Sequence, residues 1–258
     1  HSPVRHHEDL AGVVEATGRS TLAHPKVWRR GAAAAVMVSG NAMAHIYVDL
    51  AHRAPPGWGA LAESHESLAA ALLARPAVDL VLLPLGRGRC EVRAAGRGTA
   101  RVDWRDGRYR YRPVGGDPLG LGPLGWCSAD EAYHAASESD YPDALAQIAA
   151  VADAPRRGDI ILSAARDWDF RARYEPIPHV SSHGALHREH MMVPLLLNRP
   201  AAHAPRRTVD VMPSALRALG LAVPPTVVGR SFVADARGRR AARSARRLSA
   251  RDASRSAG

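Results

Sequence analysis

Three histidines lie within eight residues of the segment SSHGALHREHMMVPLLL, which spans residues 181–197. His183, His187 and His190 stand at positions i, i+4 and i+7, so a continuous helix would present all three on one face. Imidazole nitrogens gathered in this way are typical zinc ligands. The segment therefore raises the hypothesis of a metal site made from one short stretch of chain.

The surrounding residues favour a loop over a helix. Pro176 and Pro178 precede the histidines, Gly184 interrupts them, and the apolar run 191–198 predicts a strand despite Pro194. The HExxH order, which places a general base between two ligands, is absent. Three interpretations remain open: a tris-histidine site, one histidine that binds a metal together with residues from elsewhere, or polar loop histidines.

Acidic side chains are available close by. Asp167 and Asp169 follow the apolar segment GDIILSA, at a strand end where α/β proteins tend to place functional groups. Carboxylate with imidazole suits zinc, manganese or iron. Alternatively, these are surface aspartates beside Arg166, Arg171 and Arg173.

Apolar runs and amphipathic stretches alternate along the chain, which predicts an α/β fold. The predicted helices are 7–18, 60–74, 128–137 (capped by Ser128 and Glu131), 142–152 and 208–219 (capped by Thr208 and ended by Gly220). The predicted strands are 33–38, 43–49, 78–85, 158–164 and 191–198. A β-meander at 89–114 would be an insertion or an edge feature, and a hairpin turn at Ser39-Gly40-Asn41 indicates a mixed sheet.

Composition sets further bounds. The 258 residues are 46% apolar, enough for one sizeable core, and the longest apolar run has seven residues, far too few to span a bilayer. Cys90 and Cys127 form no CxxC pair, so free thiols are expected. No targeting signal is visible, which favours the cytoplasm slightly. Phosphate-loop, dinucleotide-binding and nucleophile-elbow motifs are absent from the sequence.

The formal charge of +10 is concentrated near the end of the sequence. Residues 237–255 hold eight arginines and one acidic residue, Asp252, among alanine, serine and glycine. This composition predicts a disordered tail over 236–258. Such a tail could bind nucleic acid or an anionic surface through phosphate contacts.

Three stretches together resemble the alkaline phosphatase superfamily, in its type I phosphodiesterase and nucleotide pyrophosphatase branch. HVSSHGALHREHMMVPLLLNRP resembles the late metal-site segment, in which a Ser/Thr-His-Gly loop follows a strand. RTVDVMPSALRALGLAVPPTVVGRSF resembles the closing pattern of that superfamily, with Ser214 where threonine is usual. VMVSGNAMAHIYV resembles the hairpin strands of the branch.

The resemblance implies an α/β/α sandwich with a mixed, mostly parallel sheet, covering residues 1–235. It also implies hydrolysis of a small phosphoester with two divalent metals, zinc or else manganese or iron, through a phospho-enzyme intermediate on a Ser/Thr nucleophile. By motif position, only His183 carries over as a metal ligand. His187, His190, Asp167 and Asp169 are candidates for substrate or loop contacts.

The superfamily's nucleophile, its first aspartate ligand and its Asp-His-Gly motif have no counterpart in residues 1–258. The start, HSPVRHHEDL, resembles the residues directly after the Asp-His-Gly motif, so we expect this chain to be the C-terminal portion of a longer enzyme, inactive alone. Two alternatives stay open: a sulfatase or phosphate-mutase relative of the same fold, and a non-catalytic protein that binds nucleic acid or an anionic surface through its tail.

Overall fold

The structure, a computed structural model, describes residues 1–22, 31–48, 50, 56–172, 177, 179–198, 200–204 and 207–233. The chain divides into two units, His1–Val193 and Pro194–Gly258. The predicted arginine-rich tail lies outside the described residues.

Nine strands of the first unit, within the described residues, form one sheet. They are β2 (Thr21–Leu22), β3 (Ala34–Ser39), β4 (Met43–Tyr47), β5 (Val78–Gly86), β6 (Arg89–Ala94), β7 (Gly98–Arg105), β8 (Arg108–Pro113), β9 (Leu124–Ser128) and β10 (Ile160–Ala164). Their order is β2-β3-β4-β10-β5-β6-β7-β8-β9. A smaller sheet has β1 (Ser2–His7) between β11 (Asp167–Asp169) and β12 (Ser181–Ser182).

The helices are mostly short. They are α1 (Leu10–Ala16), α2 (Trp58–Leu73), α3 (Ala129–Ala136), α4 (Ala144–Asp153), α5 (Arg188–Met191) and α6 (Val211–Ala218), with a 3-10 turn at Thr208–Asp210. None of the helices within the described ranges is long and apolar enough to cross a membrane. Both cysteines are free, as predicted.

The sheet is predominantly antiparallel, so the expectation of a mostly parallel sheet is wrong. Among the described strands of the large sheet, only β2 and β3 pair in parallel, and β10 runs antiparallel to both neighbours, β4 and β5. The connections explain this: turns of a few residues join β3 to β4 and link β5 through β8, and such turns join only antiparallel strands. The fold is mixed α/β, as predicted at that coarser level.

Helices cover the two faces of the large sheet in different places. On one face, Leu68 and Leu72 of α2 join Val81 and Leu83 of β5 in a core that α1 also enters. On the opposite face, Ile148 and other residues of α3 and α4 form a second core with β5 to β9. The meander is thus one end of the central sheet.

Local signals predicted several elements correctly. The hairpin turn between β3 and β4 forms where Ser39-Gly40-Asn41 predicted it. At α3, Ser128 Oγ accepts a hydrogen bond from Glu131 N at 3.3 Å, and Glu131 Oε2 accepts one from Ser128 N at 2.7 Å, which is the predicted capping box. Gly220 ends the last helix with a φ of 74°.

Three predicted elements differ from the structure. The strand over 191–198 is wrong: α5 ends at Met191 and the residues after it are irregular and exposed, since Pro194 has no N–H to donate to a neighbouring strand. Thr208 opens a 3-10 turn and does not cap the helix, which begins at Val211. His7 belongs to a strand, because residues 2–7 pair with β11 and β12.

Candidate functional site

The Ser-His-Gly loop is fixed to the β3–β4 hairpin by backbone hydrogen bonds. His183 N donates to Gly40 O at 3.1 Å, and Ala42 N donates to His183 O at 3.1 Å. Glycine is required on both sides of this contact. A Cβ on Gly40, whose φ is 60°, would lie 2.7 Å from His183 Nδ1, and Gly184 has a φ of 104°. The hairpin therefore holds the His183 backbone in one place.

The His183 imidazole lies beside the first residue of the chain. Strand β12 pairs antiparallel with β1, with Ser2 opposite Ser182, and this brings His1 to His183. Their ring centroids are 4.8 Å apart and the rings meet edge to face at 79°. The His183 side chain is exposed and forms no hydrogen bond with the described residues. It is therefore available to a ligand.

His187 and His190 form a separate pair around α5. Their ring centroids are 4.1 Å apart. His187 is 2% exposed, and its Nδ1 is 2.9 Å from Glu189 Oε2, while its Nε2 is buried with no partner among the described residues. His190 Nδ1 accepts a hydrogen bond from Ala185 N at 3.1 Å, and its Nε2 meets Ser2 Oγ. These bonds orient both rings toward protein groups.

Burial makes the charged form of this pair unfavourable. It lowers the pKa of His187, and together with the neighbouring imidazoles of His187 and His183 it lowers the pKa of His190 to about 4. Both imidazoles are therefore neutral near pH 7. Because the three histidines do not converge, and no group of three or more His, Cys, Asp or Glu side chains in the described part of the chain is arranged to hold a metal, the tris-histidine hypothesis is wrong for these residues.

Glu189 fixes α5 to the end of β10. Its Oε1 accepts from Arg166 Nε at 2.8 Å, and Arg166 also bonds to Asp140 at 2.9 Å. Burial acts to raise the pKa of Glu189, but the hydrogen bonds from Arg166, the backbone and His187, together with the positive charge of Arg166, outweigh burial and lower the pKa to about 2.

We expect Glu189→Gln to lower the free energy of unfolding at pH 7 by less than about 1 kcal/mol, because the ion pair is half exposed. The folded pKa lies below the ordinary value of 4.5, so this contribution is present above pH 4.5 and is lost as the pH falls toward about 2. Urea unfolding at pH 7 and pH 3.5 checks it. A difference between variant and wild type that grows on acidification would contradict the assignment.

The two candidate aspartates differ sharply. Asp167 is half exposed, has a φ of 67° and lies 3.9 Å from Arg5 Nε, a weak surface ion pair. Asp169 is fully buried, and its Oδ1 accepts from His7 Nδ1 at 2.8 Å and from Arg171 N at 3.2 Å. Its Oδ2 lies 3.8 Å from His179 Nδ1 and has no hydrogen bond from a described residue. Asp167 is thus a surface residue, whereas Asp169 is buried and forms hydrogen bonds inside the protein.

His1, His7 and His179 were not among the sequence candidates. Each meets its partner through the small sheet: β1 pairs in parallel with β11, with His7 opposite Asp169. No clear signal in the sequence indicated these contacts, because SPVRHH, the sequence of Ser2–His7, shows no regular alternation of polar and apolar residues.

Comparisons of the chain with protein-family models, with curated proteins and with solved structures gave no match.

Proposed function

We propose that this chain is the C-terminal portion of a metal-dependent phosphoester hydrolase. In this proposal it has the α/β/α sandwich of the alkaline phosphatase superfamily, and His183 is a ligand to one of two divalent metals. The substrate is a small phosphoester, attacked by a Ser/Thr nucleophile that precedes residue 1.

One observation carries the proposal: β1 pairs with β12 so that His1 contacts His183. The sequence HSPVRHHEDL resembles the residues directly after the Asp-His-Gly motif of the superfamily. If the residues before His1 continue strand β1 in the same direction, they would lie next to the loop that holds His183. The pairing supports a single metal centre made from the Asp-His-Gly motif and the Ser-His-Gly loop.

The donor set within the described residues does not fit a metal by itself. His183 offers one free imidazole, and the nearby His187 and His190 are engaged with Glu189, Ala185 and Ser2. We therefore derive no catalytic step through a metal. The role we assign to this chain is to hold His183 at a fixed position, through its backbone bonds to the hairpin.

An exposed apolar segment also supports the proposal. Val193 is 58% exposed and Leu196 is 94% exposed, in a run that continues to Leu197. Contiguous apolar residues on a surface usually mark a place where another part of a protein packs. In the proposed enzyme, a part of the protein outside residues 1–258 would pack on this run.

We expect residues 1–258, purified with zinc or manganese, to show no turnover of 4-nitrophenyl phosphate or bis(4-nitrophenyl) phosphate above the buffer rate. One histidine cannot replace a nucleophile and two metal sites. The product of the complete reading frame should hydrolyse one of the two substrates, and chelation with EDTA should abolish the rate.

Two results would contradict the proposal. One is metal-dependent turnover by residues 1–258 alone. The other is a coding sequence with no Asp-His-Gly within a few codons upstream of His1.

A further inference from the structure

The outward face of the β6–β9 meander carries a continuous set of arginines, which we call the arginine face. Its members lie on alternate positions of three neighbouring strands: Arg89, Arg93, Arg101, Arg105, Arg108, Arg110 and Arg112. Strand register places them on one side, since Glu91, Arg101 and Arg112 stand opposite one another across β6, β7 and β8. The other side of these strands packs into the core.

The arginine face is strongly basic. Its seven arginines are accompanied by two acidic residues, Glu91 and Asp103, a formal excess of five positive charges. Glu66 of α2 pairs with Arg93 at one border, and Asp106 lies in the turn between β7 and β8. Glu131, whose carboxylate interacts with Arg108, lies at the β9 border. Even if all three are counted, two positive charges remain in excess.

Asp103 and Glu91 hold arginine side chains in place but do not neutralise the positive charge of the arginine face. Asp103, which is 4% exposed, lies 3.1 Å from Arg110 Nε and 2.9 Å from Arg112 Nη2. Glu91 lies 2.7 Å from Arg93 Nε and 4.0 Å from Arg101 Nε. Each carboxylate is therefore shared by two guanidinium groups.

The strand register also places like charges directly opposite each other. Arg105 stands opposite Arg108, and Arg101 stands opposite Arg112. Like charges at directly opposite positions destabilise a sheet. A sheet that accepts two such pairs on an uncovered face is suited to an anionic partner, because the partner's charge removes the repulsion.

An aromatic ring lies among the arginines. The guanidinium carbons of Arg105 and Arg110 are 4.5 Å and 4.8 Å from the centroid of Trp126. Trp126 is half-buried and belongs to β9, at the outer edge of the sheet. Both guanidinium groups therefore lie over the indole ring. Flat guanidinium and indole groups offer faces on which nucleobases can stack, and arginine binds phosphate with two parallel hydrogen bonds.

We infer that the arginine face binds single-stranded nucleic acid, with phosphates on the arginines and bases stacked at Trp126. Among the described residues, the uncharged side chains on this face are Thr99, Trp126 and Ser128, and only Trp126 is large and apolar. A membrane-binding surface needs several apolar side chains to insert between lipids. The proposed phosphoesterase site does not enter this inference.

The test is fluorescence anisotropy of a labelled oligo(dT) of about 20 nucleotides, titrated with residues 1–258 from about 50 mM to about 200 mM salt. The variant replaces Arg89, Arg105 and Arg108 with glutamine; these residues are exposed and none of them pairs with Glu91 or Asp103. The matched control replaces three exposed arginines elsewhere, Arg5, Arg156 and Arg230. A third variant replaces Arg243, Arg246 and Arg247 of the tail.

We expect the arginine-face variant to weaken binding by about tenfold or more and to reduce the slope of log affinity against log salt by about 2. The matched control should change affinity much less, and Trp126→Ala should weaken binding more than Trp126→Phe. Thermal unfolding confirms that each variant is folded.

Three results would overturn the inference. The first is equal weakening by the arginine-face variant and the matched control. The second is a loss confined to the tail variant. The third is no oligonucleotide binding by the wild type, whether or not phosphatidylserine vesicles bind it.

Discussion

Replacing His183 with alanine in the protein expressed from its complete reading frame is expected to reduce kcat/KM for the phosphoester by more than roughly 100-fold. Loss of an outer-shell partner of a metal ligand already costs roughly 10–100-fold, and His183 is proposed as a ligand itself. Its ring is exposed and contacts the ring of His1, and loss of that surface contact alone does not account for such a reduction. Steady-state kinetics with bis(4-nitrophenyl) phosphate measure it.

His134→Ala is the matched control for this change. His134 is exposed on α3; its Nδ1 lies 2.7 Å from the backbone oxygen of Asp130, and its ring contacts that of Tyr133. The control should keep the wild-type rate. A His183→Ala enzyme whose rate stays within a few-fold of the wild type would contradict the role assigned to His183.

The second large effect concerns Gly40, which contacts the His183 loop. Alanine at a φ of 60° costs about 1–2 kcal/mol in backbone strain. The added Cβ would also lie 2.7 Å from His183 Nδ1 and 2.8 Å from His183 O, and relieving such a contact costs about 1–3 kcal/mol more. Gly40→Ala should therefore lower the free energy of unfolding by about 2–5 kcal/mol, measured by urea unfolding.

Gly120→Ala separates the two parts of that cost. Gly120 has a φ of 65°, close to that of Gly40, but a Cβ there would meet nothing within 4 Å. It should lose only the backbone part, about 1–2 kcal/mol. Equal losses for the two variants would mean that the hairpin and the His183 loop are not packed together as described.

Short-range chemistry explains which elements could be predicted from the sequence. The capping box at Ser128 and Glu131 and the turn at Ser39-Gly40-Asn41 depend on residues within a few positions of each other. The prediction of a mostly parallel sheet is wrong because the sequence of an apolar strand such as β5 is the same in a parallel sheet and in the middle of an antiparallel one. The strand predicted after Met191 is wrong because a strand also needs a neighbouring strand to pair with, and the residues of the run do not reveal whether one exists.

Long-range contacts account for the features of the candidate site that could not be predicted. His7 and Asp169 are separated by 162 residues, and the contact between Gly40 and His183 joins the hairpin to a loop more than a hundred residues later. No spacing rule predicts such contacts. The resemblance to the alkaline phosphatase superfamily selected His183 from the three histidines. In the structure, His183 contacts His1, whereas the buried His187 and the half-buried His190 contact each other.

Metal content is the most direct measurement of the central claim that His183 is a metal ligand. The protein from the complete reading frame, purified and analysed by inductively coupled plasma mass spectrometry, is expected to retain about two divalent ions per chain. His183→Ala is expected to retain about one, and His134→Ala about two. Two ions per chain in His183→Ala, at the wild-type level, would contradict the account.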